Sequence, residues 1–121
     1  PLMGYLFLGA KMAKDNKKFN EGWNFGPKKD SVLNVEQIVS KVIENWGSGK
    51  YIVDGSQKFH EAKLLQLNID KATKELGWTP VFDCNEAVAE TVSWYKNFYD
   101  KTGSVYDFSI NQIKSYMGKM S

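Results

Sequence analysis

A small mixed α/β unit is the fold class that this 121-residue chain predicts, and three observations carry it. Asn34 with Gln37, and Asp83 with Glu86, are capping pairs that each open a run of apolar residues at helical spacing. Aromatic and β-branched runs at residues 19–26 and 51–53 have the chemistry of short strands. Residues 69–80 read as a short helix with both ends marked. Asp70 can accept an orphan N–H of the first turn, Gly77 suits the left-handed stop, and Trp78 and Pro80 fix the exit.

The elements follow in order. Residues 2–14 place Leu2, Tyr5, Leu6, Gly9, Met12 and Ala13 at the three-and-four spacing of an amphipathic helix. Asp15-Asn16-Lys17-Lys18 is its polar exit. Residues 19–26 predict an aromatic strand closed by Gly26-Pro27, and residues 28–31 a charged loop. The helix opened by Asn34 aligns Val35, Ile38, Val39, Val42 and Trp46 and stops at Gly47-Ser48-Gly49. Tyr51-Ile52-Val53 predicts a short buried strand. Residues 62–68, where Leu65 and Leu67 alternate with polar side chains, predict another with one buried face. Behind Asp83, Val88, Thr91, Val92, Tyr95, Phe98 and Tyr99 form a broad apolar stripe that Thr102-Gly103-Ser104 breaks. Phe108, Ile110, Ile113, Tyr116 and Met117 give residues 107–120 a weaker helical pattern. Trp46, Trp78 and Trp94 are expected in the core, where large rings supply much of a small domain's burial.

Composition narrows the function classes. Hydrophobic content of 42% and charged content of 25% are those of an ordinary soluble globular domain. A formal charge of +2 implies no electrostatic partner, and the 16 basic residues are all lysine. Without arginine the forked two-bond grip on phosphates and bases is missing, which argues against nucleic acid. One cysteine excludes an internal disulfide, and no apolar run approaches the roughly 20 residues of a membrane span.

Several chemistries fail on spacing. Gly47-Ser48-Gly49-Lys50 superficially resembles a phosphate loop, but Glu44 and Tyr51 stand where that motif needs Gly and Ser or Thr. One histidine and one cysteine give no zinc set. Cys84 could pair with His60 as a nucleophile; a packing role in the first turn of a helix accounts for it more simply.

The Leu76-Gly77-Trp78-Thr79-Pro80 block, Thr91-Val92-Ser93-Trp94-Tyr95-Lys96 after it and Gly22-Trp23-Asn24-Phe25-Gly26-Pro27 before it together resemble the C-terminal part of extended short-chain dehydrogenases/reductases acting on sugar nucleotides. Phe59-His60-Glu61-Ala62, with Pro1-Leu2-Met3-Gly4-Tyr5-Leu6, points to the 4,6-dehydratase branch that uses cytidine-linked sugars. The resemblance covers almost the whole chain. It implies a substrate-binding domain over residues 1–102 with a C-terminal tail, a short helix, over 103–121. It also implies an NAD(P)-binding Rossmann core outside this sequence, so that the chain beginning at Pro1 is expected to be a fragment, inactive alone, of a cytoplasmic NAD-dependent lyase. In that family the sugar is oxidised at C4, water is lost across C5–C6, and hydride returns at C6. The product feeds deoxysugars of bacterial surface polysaccharides.

The same resemblance assigns the candidate site. The family's loop here carries an Arg-Pro-x-Glu type sequence, and Lys58 stands in the arginine place and Phe59 in the proline place. Lys58 can neutralise the diphosphate as a point charge, His60 can donate to a phosphate or the ribose, and Glu61 can accept from ribose hydroxyls. Asn24, on the strand entering the substrate domain, is the fourth candidate. A solvated loop at 58–61 and a purely structural Asn24 are the plainer alternatives. No Gly-x-Gly-x-x-Gly occurs, and no tyrosine has a lysine four residues on, so neither NAD nor the catalytic pair is expected on this chain. The implied partners are CDP-glucose or a related nucleotide sugar, the Rossmann domain, and a second copy of the full enzyme as a homodimer; no membrane and no metal are implied. An apolar surface around residues 2–8, turned toward the missing domain, is expected to make the fragment self-associate. Two rivals stand beside this reading: another sugar-nucleotide dehydratase or epimerase, and a stand-alone module whose 17 aromatics stack on sugars or bases.

Overall fold

Both capping pairs close as the sequence dictates. Asn34 Oδ1 accepts the Gln37 N–H at 2.8 Å while Gln37 Oε1 accepts the Asn34 N–H at 2.9 Å. Asp83 and Glu86 repeat the exchange at 2.8 and 3.1 Å. Two otherwise orphaned donors are satisfied at each helix start, which fixes where the helices begin. The computed structural model describes residues 1–54 and 66–120. Its elements are α1 (Leu2–Lys14), α2 (Asn16–Phe19), a 3₁₀ turn (Lys29–Ser31), α3 (Val35–Trp46), a π-helical turn (Ala72–Leu76), α4 (Cys84–Asp100) and α5 (Val105–Gly118).

The chain forms two compact units: Pro1–Val32 with Leu65–Pro80, and Leu33–Leu64 with Val81–Ser121. In the first, Phe19, Phe25, Ala72, Leu76 and Trp78 make the core, and Leu8, Met12, Trp23 and Ile69 pack on it. Gly4 and Gly9 weaken α1 as an isolated helix by about 1 kcal/mol each relative to alanine, so its Leu8–Met12 face depends on this packing. Gly4 is the point of closest approach: the edge of Phe25 lies where a Cβ would stand. Phe25 itself meets Tyr5 and Trp78 edge to face, with centroids 5.2 and 5.0 Å away. Leu2, Tyr5 and Leu6 are exposed.

In the second unit α4 packs against both α3 and α5. Lys96 donates to the Trp46 carbonyl at 3.1 Å, and the Trp46 ring meets Tyr99. Toward α5, Trp94 Nε1 donates to Ser109 Oγ at 2.8 Å and Gln112 donates to both the carbonyl and the carboxylate of Glu90. Val92 is the buried hydrophobic residue of this unit among those described. Beyond the last turn of α5, Lys119 reaches Glu86 at 2.7 Å and lies over the Phe82 ring.

The strand expectations are corrected. Among the described residues there is no strand, and the fold is helical where a mixed α/β unit was expected. Phe19 is drawn into α2, which Asp15 caps by accepting the Lys18 N–H. Residues 22–28 then run without regular structure, joined to residue 68 by a side chain and not by a ladder. Tyr51, Ile52 and Val53 are exposed, Ile52 at 91%. Tyr51 is held by its hydroxyl, which donates to Glu36 at 3.0 Å. Strand-forming side chains give a strand only where a neighbouring backbone accepts and returns hydrogen bonds, and the described residues supply none. Of residues 62–68, the first four lie outside the described residues and the rest form no strand. At the short helix expected over residues 69–80 the side-chain bond also moves: Asn68 Oδ1 accepts the Asp70 N–H at 2.8 Å, two residues before the expected cap at Asp70. Gly77 does stop that helix, at φ 72° and ψ 22°, and the Ala72 carbonyl accepts from both Gly77 and Trp78.

Candidate functional site

Asn24 is the candidate that the described residues include. Lys58, His60 and Glu61 lie outside them, so no pair of candidates falls among the described residues. Asn24 is exposed between a half-buried Trp23 and a buried Phe25. Its Nδ2 donates to the Asn68 carbonyl at 3.4 Å, a long bond at the start of the helical segment that ends at Gly77. Its Oδ1 meets no donor among the described residues. Chemically, this leaves one acceptor on an anchored amide, suited to a hydroxyl or an N–H.

The segment carrying Asn24 is anchored by neighbours on both sides. Trp23 Nε1 donates back to the Phe19 carbonyl at 3.1 Å. Lys71, from the helix after Asn68, forms an ion pair with Glu21, donates to the Gly22 carbonyl at 3.2 Å and lies 4.3 Å from the Trp23 ring centroid. Neither Lys71 nor Asn68 was singled out from the sequence. Their signal is three-dimensional, because 50 positions separate Lys71 from Glu21. Trp78 Nε1, inside the same core, is a buried donor with no hydrogen-bond partner among the described residues.

The second unit holds an open groove of about 520 Å³ over the polar face of α4, lined by Asn45, Glu90, Ser93, Lys96, Asn97 and Asp100 among others. Asn24 is not among its lining residues. Cys84 opens α4 and is partly buried; its suggested partner, His60, lies outside the described residues. Among the described residues no three His, Cys, Asp or Glu side chains are grouped to hold a metal, and no helix is long and apolar enough to cross a membrane.

The sequence relationship supplies what this geometry alone does not. The chain is related to a dehydratase of sugar nucleotides, and it matches the C-terminal part of that longer protein. The relative is CDP-glucose 4,6-dehydratase from Salmonella typhimurium, 38% identical over 97 residues, or 79% of this chain. The chain spans 27% of the length of that relative. No family model matches the chain.

Proposed function

We propose that this chain is the substrate-side part of a CDP-glucose 4,6-dehydratase of the extended short-chain dehydrogenase/reductase group. Such an enzyme converts CDP-glucose to CDP-4-keto-6-deoxyglucose for deoxysugar synthesis. The observation that carries the proposal is the 38% identity extending over 79% of the chain. Residues 1–102 are the nucleotide-sugar domain and 103–121 its C-terminal tail. Lys58 neutralises the diphosphate, His60 donates to it or to the ribose, Glu61 accepts from ribose hydroxyls, and Asn24 offers its amide oxygen to the ligand.

NAD, the cofactor of the proposed reaction, does not fit the residues of this chain. The glycine-rich turn that cradles a dinucleotide and the tyrosine with lysine four residues on are both missing from the sequence. Cofactor and catalytic groups therefore belong to the remainder of a longer protein. This chain is inactive alone, and the full enzyme is a cytoplasmic homodimer.

A two-dimensional NMR titration with CDP-glucose, CDP, UDP, GDP and dTDP tests the proposal. Shifts at residues 58–62 and at Asn24, with a cytidine preference, are the expected result. Equal shifts with every nucleotide would remove the cytidine assignment and retain the class. Millimolar CDP-glucose without effect would overturn the placement of nucleotide contacts on this chain. A stand-alone stacking module is the second reading, favoured by the exposed rings of Tyr95, Phe98 and Tyr99. It requires shifts at those three residues instead.

A further inference from the structure

We infer that Lys71 is a positioning residue for Asn24, an inference that rests on Asn24 being a contact for the nucleotide sugar. The case begins with the number of partners at one ammonium group. Lysine has three N–H donors and no acceptor. At Lys71 they serve the Glu21 carboxylate, the Gly22 carbonyl at 3.2 Å and the face of the Trp23 indole at 4.3 Å. These are three consecutive residues, and the next is Asn24.

A single exposed ion pair contributes little to stability, and this one is exposed. The geometry gives it another use. Residues 22–28 have no regular structure to hold their conformation. Trp23 is pinned from one side by its bond to Phe19 and from the other by the Lys71 ammonium. Phe25 is fixed between Tyr5 and Trp78. Asn24 thus sits between two anchored rings, and its Nδ2 is directed to the Asn68 carbonyl, three positions before Lys71. The same short stretch, residues 68–71, holds both the amide and the backbone that leads to it. Fixing Nδ2 on Asn68 leaves Oδ1 of this exposed side chain as the acceptor for a ligand, and a free side-chain rotor would lose that preference.

Charge shape fits the task. A compact ammonium can address a carboxylate, a carbonyl and a ring face in three directions, whereas a planar guanidinium directs its donors into one plane. Lys71→Arg is therefore expected to keep the ion pair and ring contact but not the full three-way geometry. Lys71→Met keeps the stem and removes all three polar contacts. Glu21→Gln removes the carboxylate charge and leaves the ammonium on Trp23.

The test uses the full chain as wild type and as these three variants, with two readouts. The first needs no ligand: the Asn24 side-chain NH2 resonances and their solvent exchange, followed beside the urea midpoint. Lys71→Met should shift and broaden the Asn24 amide and speed its exchange while the midpoint stays close to wild type. Glu21→Gln should have a smaller effect in the same direction, and Lys71→Arg should restore part of it. The second is affinity for CDP-glucose, expected to fall about tenfold in Lys71→Met, the equivalent of roughly 1.4 kcal/mol. An unchanged Asn24 amide in folded Lys71→Met overturns the inference. So does unchanged affinity when wild type binds. If Lys71→Met does not fold, Glu21→Gln and Lys71→Arg decide the matter by the same amide readout. Failure of wild type to bind CDP-glucose overturns the nucleotide assignment, and the ligand-free amide still decides whether Lys71 sets Asn24.

Discussion

Gly4 and Gly9 lie on the same helix and should respond to alanine with opposite signs. The intrinsic gain from Gly to Ala in a helix interior is at most about 1 kcal/mol at either position. At Gly9 nothing lies within 4 Å of the added Cβ, so the gain should appear undiminished. At Gly4 the Cβ would stand 2.3, 2.6 and 2.8 Å from three carbons of the Phe25 ring. Carbon contacts settle near 3.5–4.0 Å, so ring and helix must separate by roughly 1.2–1.7 Å. The ring cannot retreat easily, because Tyr5 and Trp78 abut it with centroids at 5.2 and 5.0 Å. Overpacking of this kind costs about 1–3 kcal/mol, which outweighs the helical gain. Gly4→Ala should lower stability by about 1 kcal/mol and Gly9→Ala raise it by about 0.5–1 kcal/mol. Urea denaturation, followed by near-ultraviolet dichroism of the tryptophans, reads the difference between the two variants. Equal stabilisation by both substitutions would refute the close approach of α1 to Phe25.

Replacing Asp83 by alanine should cost about 1 kcal/mol by urea denaturation, since the Glu86 N–H loses its side-chain acceptor while the backbone N–H at position 83 still donates to Glu86. Glu86 titrates below the ordinary glutamate range, first because Lys119 donates to its side chain and then because the Asp83 N–H does. A carboxyl with a depressed folded pKa contributes stability above its unfolded pKa, and that contribution disappears as pH falls through the folded value. Urea midpoints measured from neutral pH downward should therefore decline less steeply in Glu86→Gln than in wild type. Gly77→Ala should destabilise by about 1–2 kcal/mol, because its φ of 72° is left-handed, and a thermal melt checks it.

Local chemistry was legible in the sequence wherever both partners lie within one turn. The Asn34–Gln37 and Asp83–Glu86 boxes and the Gly77 stop need no distant residue, and each is realised. Tyr51-Ile52-Val53 has strand-forming side chains, but pairing is a property of two segments, and no neighbour arrives for it among the described residues. At the short helix that Gly77 ends, the sequence points to Asp70 as the cap, whereas the side chain that accepts a backbone N–H at its start is Asn68. Of the candidate site, the block that carries Asn24 was legible in the sequence as a resemblance. Its supports at Asn68 and Lys71 were not, because they come from more than 40 positions away. An apolar face is not by itself a buried one: Val35, Ile38 and Val42, aligned on one side of α3, are exposed.

The interleaved chain path has a consequence during synthesis. Segments of the two units leave the ribosome alternately, so neither unit can close on the first piece it receives. Phe25 waits for Trp78, which is 53 positions later. At the usual 5–20 residues per second, that interval lasts about 3 to 10 s, with two core phenylalanines already outside the tunnel. The unit that begins first also finishes first, once Pro80 has emerged, while its neighbour still lacks α4 and α5. No single cut in the gene can separate the two units without dividing one of them.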